Sequence, residues 1–485
     1  MAKSFQPVYR YRQASYRPMI LSPIPYRALH LTHRQREAIT SPPVAQHQAV
    51  TTPLPLAQQP SKPPLSLLPL KTLIRSYLIN SLSATPILLT PSLRLMTLLA
   101  NSESPLLNPD RNPILRLLLK RTFYANFCAG ETRTEIQKTV NGLKELGFTG
   151  VILAYAKEIV VQKDHDFSRC KNVDHTETVA EVKAWKEGNL KTIGLTASGE
   201  FVGLKFTGAG REAVQLLAQR QPPSDILAAA TREVCDFAKA SNVRVLFDAE
   251  QQAIQPGIDA WTLHFQRLYN NEVPGKVFVY GTYQAYLCST PALLANHLAI
   301  ASQEGFALGV KLVRGAYLNS DPRHLIWSTQ EETDEAYDGI AEALIKRKYN
   351  QILRSSEQTR EKFANVSLVL ASHNHQSVRK AMAMRRAQTV TGEKKIDLAY
   401  GQLMGMADEV SCELALASKR QEDGGTETRP RVEGPKVFKY LVWGSVGECM
   451  KYLLRRAEEN KDAVLRARES RTALKAEIWR RMTGA

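Results

Sequence analysis

The sequence predicts a (β/α)8 TIM-like barrel preceded by an N-terminal helical extension. Eight apolar, β-favouring runs lie between residues 150 and 444, and helix-like sequence with apolar residues three and four apart separates most of them. Continuous apolar strands that alternate with helices are typical of a parallel sheet covered by helices. Eight such units over roughly 300 residues fit this fold, whose usual size is about 250 residues.

Most of the runs end in polar residues, which this fold gathers at the carboxyl ends of its strands, where its active sites lie. The runs are GVILAYAKE (150–158), FVGLKFTG (201–208), VRVLFDAE (243–250), KVFVYGTYQ (276–284), FALGVKLVRGAY (306–317), SLVLASHN (367–374), KIDLAYGQL (395–403) and KVFKYLVWG (436–444). The strand-end residues that they predict are Lys157, Lys205, Asp248, Gln284, Arg314, His373, Gln402 and Tyr440.

The fifth run is the most informative of the eight. Lys311 interrupts the apolar residues of this run, and the run ends abruptly in Arg314, Gly315 and Ala316. A buried strand that ends in cations and a bare backbone presents positive charge and N–H groups to a ligand. We therefore expect a ligand site at this strand end.

A glycine motif after the second run has two interpretations. Gly208, Gly210 and Ala213 match G-x-G-x-x-A between a strand and a helix, as in dinucleotide-binding folds. The motif follows the second strand rather than the first, and no strand-end acid follows about 20 residues later to hold a ribose. A tight turn is favoured, and a NAD-linked dehydrogenase is retained as an alternative.

The positive charge is concentrated in the N-terminal part. Residues 1–100 contain eleven Lys or Arg and one acid, Glu37, and so carry +10 of the net +17. Arginines among Ser, Thr and Gln, without an apolar segment, indicate a mitochondrial transit peptide. The remainder is mildly basic, which does not support a nucleic-acid partner. We expect a transit peptide and linker at 1–62, a helical arm at 63–140, and the barrel with C-terminal helices at 141–485.

Three further segments lead to structural expectations. Residues 71–121 mix Leu with Arg and Lys, which predicts helices that lie against the barrel or a membrane surface, with ordinary packing favoured. Residues 419–436 predict a polar loop, and 461–485 a charged helix. The six cysteines are far apart and form no CxxC, so we expect neither a disulfide framework nor a metal site.

Arg455, Arg456 and Glu459 form the last candidate motif. On a helix, Glu459 can pair with either arginine, and two guanidinium groups over a barrel mouth suit a substrate carboxylate. A solvated helix with an ordinary ion pair is the competing interpretation. The motif alone does not decide between them.

Several motifs, taken together and in order, resemble proline dehydrogenase. They are KLVRGAY (311–317), EETDEAYDG (331–339), ASHN (371–374), GQLMGM (401–406) and YLLRRAEEN (452–460), and FCAGE (127–131) is similar to fungal mitochondrial members. The resemblance implies non-covalent FAD, oxidation of L-proline to 1-pyrroline-5-carboxylate by hydride transfer to flavin N5, and a ubiquinone-type acceptor. It also implies peripheral contact with the mitochondrial inner membrane on its matrix side, and the first step of proline catabolism to glutamate.

The resemblance assigns roles to individual residues. Asp248 would balance the cations that hold the substrate carboxylate, Tyr440 would cover the proline ring, and Lys311 would stabilise charge near flavin N5. The implied catalytic residues are Lys205, Asp248, Lys311 and Tyr440. The implied substrate-binding residues are Lys205, Leu403, Tyr440, Arg455, Arg456 and Glu459. The implied cofactor-binding residues are Gln284, Lys311, Val313, Arg314, Gly315, Ala316, Thr329, Gln330, Thr333, Ser372, His373, Asn374, Gln402 and Leu403.

A second class of function shares this fold. A barrel that has lost turnover could act as a binding or assembly protein at the membrane, because fold alone does not define activity. The retained charged residues favour the enzyme. Bleaching of a bound flavin by proline distinguishes the two.

Overall fold

The computed structural model describes residues 62–102, 104–156, 175–271, 276–355, 362–423, 434–462 and 464–484. The predicted transit peptide, Lys157 and the side chain of Glu459 lie outside the described residues. The described residues all belong to the compact unit from Pro60 to Ala485.

Eight parallel strands close into a barrel in chain order, and the eighth pairs with the first. They are β1 Gly150–Tyr155, β2 Phe201–Leu204, β3 Arg244–Phe247, β4 Val279–Gln284, β5 Leu308–Val313, β6 Val366–Ala371, β7 Asp397–Leu403 and β8 Lys436–Trp443. All eight predicted strands are confirmed, and each is shorter than the apolar run that predicted it. The predicted barrel class is therefore confirmed.

The position of Tyr440 differs from the prediction. It lies inside β8 rather than at its end, because Leu441, Val442 and Trp443 continue the pairing with Leu153–Tyr155 of β1. These three residues are apolar and buried, so the strand has no reason to end at the tyrosine.

Helices precede the barrel, connect its strands and follow it. They are α1 Leu70–Ser83, α2 Pro86–Asn101, α3 Pro113–Leu119, α4 Ala125–Phe127, α5 Arg133–Glu145, α6 His175–Leu195, α7 Arg211–Ala218, α8 Asp225–Ala240, α9 Gln255–Tyr269, α10 Thr290–Glu304, α11 Gln330–Lys346, α12 His375–Thr391, α13 Asp408–Asp423, α14 Val446–Asp462 and α15 Val464–Thr483. Helix α13 includes 419–423, where a loop was predicted, because Lys, Arg, Gln and Glu are good helix formers. None of the described helices combines the length and apolar character needed to cross a bilayer.

Aromatic side chains fill the barrel interior near the amino ends of the strands. The rings of Phe201 and Phe438 meet edge to face with centroids 4.9 Å apart, and the guanidinium of Arg244 lies 3.6 Å from the Phe201 centroid. The Tyr280 ring meets Phe201 at 5.6 Å. These rings fill the interior at this end, and the polar residues at the carboxyl ends of the strands lie beyond them.

The predicted helices within 71–121 are present and pack beside the barrel. Ile79 of α1, Met96 of α2 and Leu119 of α3 are buried in one apolar cluster with Leu453 of α14. The N-terminal helices therefore cover the helix that carries Arg455 and Arg456.

Candidate active site

A buried polar triad occupies the barrel interior. One carboxylate oxygen of Asp248 accepts a hydrogen bond from Lys311 Nζ at 2.5 Å, and the other accepts from Tyr440 Oη at 2.5 Å. Lys311 Nζ lies 4.9 Å from the centroid of the Tyr440 ring. All three residues are buried, and a buried charge needs such a partner with satisfied hydrogen bonds. The triad fixes a lysine cation at the centre of the barrel.

The barrel brings this triad together from three strands. Asp248 directly follows β3, and its N–H donates to the carbonyl of Leu204. Lys311 lies within β5 and Tyr440 within β8. A Cβ on Gly203 of β2 would stand 2.9 Å from the Tyr440 hydroxyl oxygen, so this position needs a glycine. Sequence reasoning missed Gly203, although a glycine inside a strand often marks such a close approach.

The predicted carboxylate-binding residues occupy three positions. Lys205 directly follows β2, and its carbonyl accepts a hydrogen bond from Trp185 Nε1 at 2.9 Å. Arg455 Nη1 lies 3.5 Å from the hydroxyl oxygen of Tyr317. Arg456 is buried, with its guanidinium 5.1 Å from the Tyr452 ring centroid one helical turn earlier. Arg455 therefore contacts the loop after β5.

Tyr317 connects two strand ends and was not predicted. Its hydroxyl donates to the carbonyl of Ala249 at 3.4 Å, just after β3, and also receives Arg455. Tyr317 ends the motif KLVRGAY, so the sequence did contain a sign of its importance. The Tyr317 hydroxyl therefore lies between Arg455 and Ala249, the residue that follows Asp248.

Arg314 links the end of β5 to its neighbours. Its Nε donates to Asp334 at 2.8 Å, its Nη1 to the Ser372 hydroxyl at 2.6 Å and its Nη2 to the Ser377 hydroxyl at 2.8 Å. The guanidinium also lies 4.3 Å from the Tyr337 ring centroid. These contacts join β5, β6, α11 and α12 into one rigid wall. Sequence reasoning missed Asp334, which lies within EETDEAYDG.

The backbone after Arg314 is bare and exposed. Gly315 has a φ of +149°, and a Cβ there would overlap the Tyr286 ring. Ala316 is exposed, and its N–H points to Gln284 Oε1 at 3.4 Å. Exposed backbone without a bulky side chain allows a ligand to lie close to this segment.

The ends of β6 and β7 meet through polar contacts. His373 Nε2 accepts the N–H of Leu403 at 3.1 Å, and Asn374 caps α12 by accepting from Ser377 N–H at 3.1 Å. Gln402 Nε2 donates to the Ser372 carbonyl at 3.4 Å. Gln402 Oε1 is buried and has no hydrogen-bond partner among the residues that the structure describes. This oxygen can accept a hydrogen bond from a ligand.

The predicted adenosine contacts lie at the start of α11. Thr329 forms a capping box with Glu332, whose N–H donates to the Thr329 hydroxyl at 3.1 Å. Gln330 is exposed, and the Thr333 hydroxyl donates to the Thr329 carbonyl at 3.3 Å. The hydroxyl of Thr329 thus already caps the N-terminus of α11. Val313, at the end of β5, is half-buried.

Two carboxylates from outside the glycine turn contact the turn that follows β2. The Thr207 N–H donates to Glu250 at 3.1 Å, and the Thr207 hydroxyl donates to the same carboxylate at 2.5 Å. At the start of α7, the N–H of Arg211 donates to Glu181 at 2.9 Å. An anionic pyrophosphate would meet two carboxylates here, so the turn argues against the NAD-linked alternative.

The barrel and this site together define a class: a (β/α)8 enzyme with a buried lysine–aspartate pair and further cations near the carboxyl ends of its strands. Residues 136–469 match the family model described as Proline dehydrogenase. The chain belongs to the proline dehydrogenase family, and as a member it is an oxidoreductase that acts on proline. The recognition made from the motifs is confirmed at the level of the family.

Relatives and solved structures agree with this membership. A relative from Schizosaccharomyces pombe, "Probable proline dehydrogenase, mitochondrial", is 27% identical over 76% of this chain and 81% of its own length. A "Hydroxyproline dehydrogenase" from Bos taurus is 27% identical over 76% of this chain and 82% of its own. The structure of proline utilization A (PutA) from Bdellovibrio bacteriovorus, inactivated by N-propargylglycine, superposes with a TM-score of 0.56 at 16% identity. That superposition covers 79% of this chain and 38% of the PutA chain, and it supports the fold.

Proposed function

We propose that this chain is a mitochondrial, FAD-dependent proline dehydrogenase. In this proposal it oxidises L-proline to 1-pyrroline-5-carboxylate and passes the electrons to a ubiquinone-type acceptor, on the matrix side of the inner membrane. The observation that carries the proposal is the buried Lys311–Asp248–Tyr440 triad, because it holds a fixed cation and an aromatic ring together inside the barrel.

The residues present fit a flavin cofactor. Gly315 and Ala316 are exposed after β5, and the buried oxygen of Gln402 can accept a ligand N–H. FAD would be held by these groups together with Gln284, Lys311, Val313, Arg314, Ser372, His373, Asn374 and Leu403, and by Thr329, Gln330 and Thr333 at its adenosine half. The chemistry that FAD supplies when bound is acceptance, at N5, of a hydride from the ring carbon next to the proline nitrogen.

The chain's own residues bind and orient the substrate. Lys205, Arg455 and Arg456 would hold the carboxylate of proline, since guanidinium and ammonium groups form strong charge-assisted hydrogen bonds with it. Asp248 holds the Lys311 ammonium in one position, and preorganised charge is what stabilises charge that develops during a reaction. Glu459 would complete the substrate-binding group.

Tyr440 bears on the choice between proline and hydroxyproline. Its hydroxyl is bonded to Asp248, which fixes the position of the ring inside the barrel. We propose that this ring covers the substrate and that Leu403, its neighbour in register on β7, also packs on the proline ring. A hydroxyl on the substrate ring would then have neither room nor a partner. Proline is therefore the proposed substrate, although five relatives, from cattle, rat, mouse, human and Xenopus laevis, are hydroxyproline dehydrogenases by name.

Anaerobic absorbance spectroscopy of the purified full-length protein tests the proposed function. We expect a yellow protein with a flavin band near about 450 nm, a general property of the cofactor, that L-proline bleaches. D-proline is the matched control and should leave the band unchanged. A colourless protein, or a yellow one that L-proline does not bleach, would contradict the proposal. Tight NAD binding in that case would support the NAD-linked alternative.

A further inference from the structure

Helices α1, α2 and α3 leave large apolar side chains in solvent. On each helix these side chains recur at spacings that place them on one side. We call these three exposed sides together the outer face; their residues are Leu70, Ile74 and Leu78 of α1, Ile87, Leu95 and Leu98 of α2, and Ile114, Leu117 and Leu118 of α3. Their exposed fractions run from 44% to 84%, which shows that nothing in the described residues covers them.

The outer face lies opposite the faces that these helices bury. Ile79, Met96 and Leu119 point into the apolar cluster that they share with α14. Since the buried faces converge on that cluster, the exposed faces point away from the barrel. The apolar outer face therefore does not contribute to the core.

Exposed apolar side chains are concentrated in this part of the molecule. Ten of the seventeen large apolar residues that are exposed among the described residues lie between Leu70 and Leu118. Scattered exposed apolar residues are normal on a protein surface, whereas a concentrated group marks a site of interaction. The outer face is therefore expected to be a site of interaction.

The charge around the outer face indicates which partner. Residues 62–130 contain eight Lys or Arg and two acids, Glu103 and Asp110, a balance of +6. Lys71, Arg94 and Arg121 are exposed on the same three-helix region, and Asp110 is bonded to the start of α14. Exposed leucines among cations fit the interface of a bilayer that contains anionic lipid. A second copy of this chain fits less well, because it would bring the exposed cations Lys71, Arg94 and Arg121 of both copies together.

We infer that the outer face docks on the surface of an anionic phospholipid bilayer. This inference rests on the proposed function and deepens it, because it names the surface through which the enzyme would reach the membrane. Helix α2 packs on α14, the helix that carries Arg455 and Arg456. Docking would hold the substrate-binding helix close to the lipid phase, from which an apolar quinone must come.

Vesicle co-sedimentation of the full-length protein tests the inference. The vesicles are phosphatidylcholine alone, or phosphatidylcholine with about one third phosphatidylglycerol. We expect binding to the anionic vesicles at least about tenfold stronger than to the neutral ones, and weaker at high salt. We expect Leu95→Gln/Leu98→Gln to lower binding to the anionic vesicles by about tenfold or more, because each change removes apolar surface that the bilayer would bury.

Val390→Gln/Leu268→Gln is the matched control, since both residues are exposed and apolar but lie outside the outer face. We expect it to bind like the wild type. Dye-linked oxidation of proline should be equal in all three proteins, so failure of the proposed function would appear as lost dye reduction rather than lost sedimentation. Equal binding by the wild type and the outer-face variant would overturn the inference. A wild-type dimer that the outer-face variant converts to a monomer, without vesicle binding by either, would also overturn it and assign the face to a second copy.

Discussion

At the scale of single residues, Asp248 organises the centre of the barrel. Its two carboxylate oxygens are used by different partners, Lys311 and Tyr440, so neither side chain can move without leaving a buried oxygen unsatisfied. Removing one partner of a buried ion pair is costly because the remaining charge stays desolvated. Gly203 supports the arrangement by leaving room for the tyrosine hydroxyl. A substitution of any one of these three residues is therefore expected to shift the other two side chains as well as to change the charge in the barrel.

The first residue-scale prediction concerns the carboxylate group of the substrate. We expect Arg455→Met or Arg456→Met to raise KM for proline by at least about tenfold, with flavin still bound, through loss of a charge-assisted hydrogen bond of about 1.5–3 kcal/mol. Steady-state kinetics with a dye acceptor and the flavin absorbance measure the two effects. Arg379→Met is the control, because Arg379 is exposed and pairs with Glu413 on the outside of the barrel. An unchanged KM in both Arg455→Met and Arg456→Met would rule out the assignment.

The second residue-scale prediction concerns substrate choice. We expect hydroxyproline to be poorer than proline by a factor of about ten or more, because a clash or an unpaired hydroxyl costs about 1–3 kcal/mol. Tyr440→Ser should narrow this gap, since it removes the ring. Tyr440→Phe is the matched control: it keeps the ring and removes only the bond to Asp248, so it should preserve the discrimination. The measurement is kcat/KM for proline divided by kcat/KM for hydroxyproline, in the wild type and in each variant. If this ratio is the same in Tyr440→Ser as in the wild type, Tyr440 has only a structural role.

At the scale of elements, Glu131 ties the N-terminal region to α14. Its carboxylate accepts from Lys120 at 2.5 Å and from Arg116 at 2.9 Å, and also from the N–H of Val446 in the first turn of α14. Burial acts to raise the pKa of Glu131, but these hydrogen bonds outweigh it and hold the pKa below its ordinary value of 4.5. An acid at a helix N-terminus is also favoured by the helix dipole. FCAGE therefore contributes an anchor for the helix that carries Arg455.

The element-scale prediction follows from the direction of that pKa shift. Because the pKa of Glu131 is lower in the folded protein than the ordinary value of 4.5, its ionised carboxylate stabilises the fold above pH 4.5. This stabilisation is lost as the pH falls from 4.5 through the pKa of Glu131 in the folded protein. We expect Glu131→Gln to lower the free energy of unfolding by about 1–3 kcal/mol at neutral pH and to flatten the acid dependence. Thermal unfolding between neutral pH and about pH 3 measures both effects. Glu304→Gln is the control, because Glu304 forms an exposed pair with Arg267. Equal stability curves for Glu131→Gln and wild type would contradict this role.

At the scale of the whole molecule, the charge is divided between two regions with different predicted tasks. Residues 1–61 lie outside the described residues, and their arginine-rich composition is the basis for the predicted transit peptide. The barrel from Gly150 to Trp443 contains all the residues proposed to hold the triad and the cofactor. Targeting and catalysis are therefore expected to separate on deletion.

The prediction for the whole molecule is a deletion of residues 1–40. We expect the shortened protein to bind FAD as the full chain does and to lose import into mitochondria, because the deleted segment carries charge without a predicted core. Import into isolated mitochondria and the flavin absorbance of the purified protein give the two readouts. Import of the shortened protein at the normal level would be incompatible with a transit peptide at this position.

The sequence alone determined the class of fold and much of the candidate site. Eight apolar runs predicted eight strands, and a strand's period and burial are local properties that a sequence records directly. The same runs put Asp248, Arg314 and Gln402 near strand ends, where the barrel gathers them. The motifs then identified the family before any contact was known.

Only the tertiary structure decided which of these residues meet. Asp248 and Tyr440 are 192 residues apart, and their hydrogen bond exists because closure of the barrel brings β3 and β8 to opposite sides of one interior. Sequence reasoning assigned Asp248 to the general balance of nearby cations, whereas the structure pairs it with Lys311 and Tyr440. It likewise left the glycine turn open to a nucleotide, until folding brought Glu181 and Glu250 to that turn. Such pairings depend on strand order and register across the whole chain, and these are set by packing that no local pattern contains.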